Sequence, residues 1–172
     1  RLHAQGDGTA TFLTDGERLF VAWRVKARNV DFDGGLRTSV RASVRDGKVY
    51  DDDSVELAVC GDDPNRIAHF IFNVDGAIHD LLAKAGDNNA PMDVKWNCDG
   101  VVVKSKVNRG WWECEAMVPF KSIGAVKNGF SANAYKCGPG IGAMSVTAAH
   151  QHIQGTRIPF KVVDGAPAVQ LE

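Results

Sequence analysis

Short runs in which every second residue is apolar dominate this chain, and a period of two suits half-buried β-strands. Leu19, Val21, Trp23 and Val25 alternate with Phe20, Ala22 and Arg24. Val55, Leu57 and Val59 alternate with Glu56, Ala58 and Cys60. Val101, Val103, Ser105 and Val107 point one way, with Val102, Lys104 and Lys106 opposite. After Asn108-Arg109-Gly110, the residues Trp112, Cys114, Ala116 and Val118 point to one side. Two alternating runs joined by a short glycine-containing loop predict a hairpin with that second set in the core. Ile67–Val74 is apolar throughout most of its length and suits a strand buried on both faces. Phe130–Cys137 and Thr156–Val163 add further strands. Leu36–Val44 also fits a helical face, but its Thr, Val and Ser content suits a sheet, and it is assigned as strand.

Helix signals are few. Ile78–Ala85 is predicted as two helical turns, and Phe120–Gly124 as a single turn after Pro119. Asp164–Glu172, with Gly165 and Pro167, is a last strand or a tail. About eight short strands separated by turn residues predict an all-β fold, a two-layer antiparallel β-sandwich of jelly-roll or immunoglobulin-like type with little helix. With 172 residues and no internal repeat or linker-like stretch, one domain over 1–172 is expected.

Composition narrows the function classes. Twenty Lys and Arg oppose 21 Asp and Glu, for a net charge of −1, which excludes the basic footprint of a nucleic-acid binder. No apolar run approaches the roughly 18 residues of a membrane span, so neither nucleic acid nor membrane is expected as a partner. Arg1 opens directly on ordinary chain, which reads as a mature form or an excised domain. Cys60, Cys98, Cys114 and Cys137 form no C-x-x-C, so a zinc ribbon or thioredoxin-type centre is not expected. An even count permits zero, one or two disulfides, or four buried thiols. No N-x-[ST] acceptor occurs, and compartment stays open on residues alone.

Reaction signatures are missing. The chain contains no G-x-x-x-x-G-K-[ST], H-E-x-x-H or G-x-S-x-G. Gly138-Pro139-Gly140-Ile141-Gly142 lacks the dinucleotide spacing and reads as a surface loop. His150-x-His152 has no third metal ligand nearby, and His79-Asp80 has no serine in a nucleophile setting. The carboxylates Asp51, Asp52, Asp53, Asp62 and Asp63, and Asp31 and Asp33 beside Gly34-Gly35, are solvated turn residues or oxygen ligands suited to Ca²⁺. Arg37, Arg41 and Arg45 alternate onto one face with Ser39 and Ser43; they form a solvated sheet face or a guanidinium stripe for acidic sugars.

Several segments resemble family 9 carbohydrate-binding modules and their DOMON-like relatives. Leu19-Phe20-Val21-Ala22-Trp23-Arg24-Val25 is similar to that family's LYVAFRV strand. Arg45 to Leu57, with Tyr50 ahead of Asp51-Asp52-Asp53-Ser54-Val55-Glu56, resembles its RDxxVWEDDSVEI segment. His69 to Gly76, Gly110 to Phe120 and Phe130 to Lys136 match three further family strands, in family order. The resemblance implies a β-sandwich and a non-catalytic sugar-binding domain of a larger extracellular, periplasmic or cell-surface protein or glycoside hydrolase, with structural Ca²⁺ in its loops.

A pyranose has an apolar face that stacks on an aromatic ring and hydroxyls that need directional partners. Tyr50 takes the position of the family's motif tryptophan and is the first stacking candidate. Arg45, Asn133 and Lys136 match its polar positions, and Trp111 and Trp96 offer other platforms. Trp111 is expected to point away from the core if Trp112 points in. Ser145–His150 contains no counterpart of the family's second binding tryptophan. Two other readings stand beside this one: a structural or interaction sandwich that has lost its sugar site, and a haem-binding domain using Met92, Met117 or Met144 with a histidine.

Overall fold

The computed structural model describes residues 2–4, 8–26, 42–85, 92–108, 111–137, 144–145, 158–161 and 169–170. They form two antiparallel sheets. The smaller contains β1 (Leu2–Ala4), β2 (Gly8–Thr14), β3 (Arg18–Lys26), β7 (Val102–Asn108) and β8 (Trp111–Pro119), in the order β1-β2-β3-β8-β7. The larger contains β4 (Ser54–Cys60), β5 (Arg66–Asn73), β6 (Ile78–Lys84), β9 (Phe130–Cys137), β10 (Met144–Ser145), β11 (Ile158–Lys161) and β12 (Val169–Gln170). Its order is β12-β11-β9-β4-β5-β6, with β10 also pairing β9.

The predicted alternation sets the inner faces. Leu19, Val21, Trp23 and Val25 are buried and stand opposite Val118, Ala116, Cys114 and Trp112 of β8. Across the interior the larger sheet supplies Val55, Leu57, Val59, Phe70 and Phe72. Trp23 meets Phe72 edge-on at 5.9 Å, and Phe12 packs on Phe160 at 4.9 Å, closing the sandwich. Aromatic contacts of this kind add about 0.5–1.5 kcal/mol beyond the area they bury. The hairpin of β7 and β8 forms in the expected register, with Val103 against Ala116 and Val107 against Trp112. The single turn after Pro119 is α1 (Phe120–Ile123), which plugs one end with buried Phe120 and Ile123.

Two expectations are corrected. Ile78–Ala85 is not helical: Ile78–Lys84 is a strand that pairs with β5 from Phe72↔Ile78 to Arg66↔Lys84. Ile78, Asp80 and Leu82 turn inward while His79, Leu81 and Ala83 turn outward, and burial on both sides erased the alternation that marks a strand. Of the predicted strand Leu36–Val44, residues 36–41 lie outside the described residues, and 42–44 are not strand. There the Ala42 N–H donates to Asp52 Oδ2 at 3.1 Å and its carbonyl accepts from Asn73 Nδ2 at 2.8 Å. Side chains thus occupy the backbone groups that a strand partner would use.

The four cysteines are free and buried. Burial pushes the Cys114 thiol up to about 12 and also raises those of Cys98 and Cys137. Cys98, Cys114 and Cys137 are thereby packing groups held in the neutral form rather than nucleophiles.

Candidate functional site

The outward residues of β4, β5 and β9 bring polar groups together on the larger sheet. Glu56 stands opposite Ile71 and Tyr135, and Ala58 opposite His69 and Asn133. His69 Nε2 lies 2.8 Å from Glu56 Oε2, and each residue is 2% exposed. A carboxylate and an imidazole withdrawn this far from water persist because they are paired. Cys137 shares this face, its thiol raised first by burial and then by the adjoining Glu56 carboxylate.

Residues 42–52 lie against the outer side of β5 and β6. Ala42 and Val49 pack on Ile71 and Ala77. Asp52 Oδ2 accepts from Asn73 Nδ2 at 3.0 Å, while Asn73 Oδ1 accepts from the Ala77 N–H at 2.8 Å. Tyr50 projects from the 3-10 turn Val49–Asp51 and is 52% exposed, its ring 5.5 Å from His79 and tilted 76° to it.

The six residues marked by the sequence do not converge on one site. Arg45 and Tyr50 both reach β6 but straddle it. Tyr50 meets His79 on the outer side, whereas Arg45 holds the inward-facing Asp80, with Nε 3.1 Å from Oδ1 and Nη2 2.5 Å from Oδ2. Asn133 and Lys136 lie on opposite faces of β9. Asn133 is fully buried on the outer face. Lys136 points inward, donating to Asp53 Oδ1 at 3.0 Å and lying 5.4 Å from the centre of the Trp112 ring. Trp96 packs on the core edge-to-face with Phe70 at 5.9 Å. Trp111 points away from the core, as expected, on the outer face of the smaller sheet, where the Arg24 guanidinium covers its ring at 4.6 Å.

Of the acidic run after Tyr50, Asp51 is exposed, whereas Asp52 is buried against Asn73 and Ala42 and Asp53 against Lys136. Asp62 accepts from the N–H groups of Lys127 and Asn128. Among the described residues no three His, Cys, Asp or Glu side chains cluster as metal ligands. Asp31, Asp33, Arg37, Arg41, His150, His152 and Gly138–Gly142 lie outside the described residues. Met117 lines the outer face of the smaller sheet, whereas His69 and His79 stand on the outer face of the larger one, so they cannot bracket one haem iron.

Sequence reading did not bring out the Glu56–His69 pair or the contacts of the 45–50 segment with His79 and Asp80. The signal for the first was present: Glu56 interrupts an apolar strand, and His69 interrupts its neighbour. The second required knowing that Ile78–Lys84 is a strand.

No protein-family model matches the chain, and no curated protein matches it. Among solved structures it is similar to a candidate carbohydrate-binding protein from Bacteroides uniformis, with 17% identity, a TM-score of 0.58, and coverage of 84% of this chain and 78% of that one. It is also similar to a family 9 carbohydrate-binding module from Caldicellulosiruptor kristjanssonii. The glucose complex gives 13% identity and a TM-score of 0.53, covering 84% of this chain and 68% of that one. The cellotriose complex gives 13% and 0.52, with 84% and 67% covered. At these identities the likeness is one of fold: the chain is a two-sheet β-sandwich of the kind found in carbohydrate-binding modules.

Proposed function

We propose that this domain binds carbohydrate without transforming it, with the Tyr50 ring as the stacking surface. The exposed phenol carries the reading: a large aromatic ring half open to solvent, supported on a fold shared with modules solved in complex with glucose and cellotriose. Its edge-to-face contact with His79 leaves at least one face of the ring clear of the imidazole, which is the face a pyranose needs. In this reading the domain serves a larger secreted or cell-surface protein as its sugar-binding part.

Calorimetric titration with cellotriose, followed by an array of neutral and acidic glycans, tests the reading. A dissociation constant of about 1 μM to 1 mM is expected, roughly −8 to −4 kcal/mol. Tyr50→Ala is expected to weaken binding at least about tenfold, since the stacking surface is removed. Silence across the array sinks the proposal, as does unchanged affinity in Tyr50→Ala.

A further inference from the structure

The segment that carries Tyr50 is fastened to β6 through Asp80 on the inner side of the strand and the Ile78 carbonyl beside His79. On the inner side, Arg45 makes its two contacts to Asp80 and also donates from Nη2 to the Cys98 carbonyl at 3.1 Å. Asp80 is fully buried and accepts a further bond from the Cys98 N–H at 2.6 Å, so this anchor is itself fixed. On the outer side, Asp46 donates its backbone N–H to the Ile78 carbonyl at 2.9 Å, and its Oδ1 faces His79 Nδ1 at 3.8 Å.

Asp46 adopts φ 60°, the left-handed region. That conformation is costly for most L residues but tolerated by Asp and Asn. From there a tight run carries the constraint forward. Val49 N–H donates to the Gly47 carbonyl at 2.7 Å, Asp51 N–H to Lys48 at 3.0 Å and Asp52 N–H to Val49 at 3.2 Å. This run delivers Tyr50 back to the same histidine that faces Asp46.

We propose that His79 is a positioning residue that holds the Tyr50 ring in its outward orientation, with Asp46 setting the turn that brings the two together. Its consequence for sugar affinity rests on the carbohydrate reading above, whereas the placement of the ring does not. A phenol hinged only at its own Cα samples several rotamers, and selecting one before binding spares the sugar complex that ordering cost. His79 is buried on its strand, so it offers a fixed edge against which the exposed ring rests.

The test uses the full chain with ¹³C-labelled tyrosine rings. The sequence has two tyrosines, and Tyr135, buried on β9, is the internal reference. In His79→Ala the Tyr50 ring signals are expected to move toward free tyrosine while those of Tyr135 stay in place. Cellotriose affinity is expected to fall about three- to tenfold, and His79→Phe, which restores an aromatic edge, to recover both. Asp46→Asn is expected to leave the Tyr50 signals unchanged, and Asp46→Val to move them, because a β-branched residue resists the left-handed turn. If His79→Ala fails to fold, His79→Leu, which keeps bulk at the position, carries the same comparison. Tyr50 signals unmoved in the folded His79 variant overturn the positioning role and leave the carbohydrate reading standing. A wild-type protein silent to cellotriose and to the glycan array overturns the carbohydrate reading, while the tyrosine signals still decide where the ring is held.

Discussion

The outer faces of β8 and β4 are written in the same alternating pattern and end in opposite surroundings. On the smaller sheet the outward residues stay at the surface in cross-strand rows. Leu13, Phe20, Met117 and Val102 form one apolar row, with Leu13 45% and Val102 47% exposed. The next row is Thr11, Ala22, Glu115 and Lys104, and these two rows line a groove of about 330 Å³. On the larger sheet the corresponding outward set is buried, and Glu56 and His69 must therefore satisfy each other. A polar residue in an alternating strand thus has two meanings. On β8 it marks contact with water, and on β4 it marks a pair made inside the protein.

The same substitution on the two faces separates these meanings most strongly. Glu56→Ala leaves His69 buried beside a vacated site. Removing one member of a buried ionisable pair costs about 3–5 kcal/mol. Urea unfolding is expected to show a loss of that size, and Glu56→Gln, which keeps an oxygen acceptor, a smaller one. A Glu56→Ala loss below about 1 kcal/mol would mean that the outer face of the larger sheet is open to water, and the contrast would fail.

How far the fold was legible follows the same division. Strands with one wet face, β3, β7 and β8, were read with the right alternation, and β8 with its core-facing residues correct, because water imposes the alternation that periodicity detects. The β6 strand was misread as helix because Ile78, Leu81, Leu82 and Ala83 carry apolar groups on both sides, leaving no period of two to find. Strand β5 has the same character, but its nearly unbroken apolar run Ile67–Val74 was read as a strand buried on both faces, and its β-branched and aromatic Ile67, Phe70, Ile71 and Phe72 suit that reading. The site was less legible than the fold. Tyr50 and Arg45 were marked as neighbours in one motif, yet which side of β6 each takes depends on the register of a strand the sequence had concealed. The alternation of β9 does separate Asn133 from Lys136, and spacing alone shows that residues three apart in a strand face opposite ways.

Alkaline titration probes the contrast with a smaller effect. Cys137 lies on the outer face of the larger sheet and Cys114 on the inner face of the smaller one, and both thiols are raised by burial. For Cys114 the ordinary value is 9.0 and the folded value about 12. Between those limits the unfolded chain has lost a proton that the folded chain retains, so stability falls as pH rises. The contribution is fully present below about pH 9 and drains away toward pH 12, at up to about 1.4 kcal/mol per pH unit for each such thiol. Thiolate absorbance of the native protein at pH 10 is therefore expected to show Cys114 and Cys137 still protonated, and Cys114→Ala to flatten the decline in stability above pH 9. If Cys137 titrated near 9 in the folded protein, the outer face of the larger sheet would be wet and the two faces equivalent.

The smallest expected effect is the counterpart on the open face. Glu115 is exposed, stands opposite Lys104 across the strand pair and borders the groove beside Met117. An opposite-charge pair across a solvated sheet contributes roughly 0.2–1 kcal/mol, and exposed pairs fall toward the lower end because water and salt screen them. Glu115→Ala is expected to change stability by about 0.5 kcal/mol or less, and by less still in 1 M salt. Glu115 and Glu56 are the same residue type, each flanked by apolar neighbours in an alternating run, so the ratio of the two losses isolates the surroundings. A Glu115→Ala loss approaching that of Glu56→Ala would show that the rows on the smaller sheet are covered by something when the protein folds, and that the groove beside Phe20 is occupied rather than open.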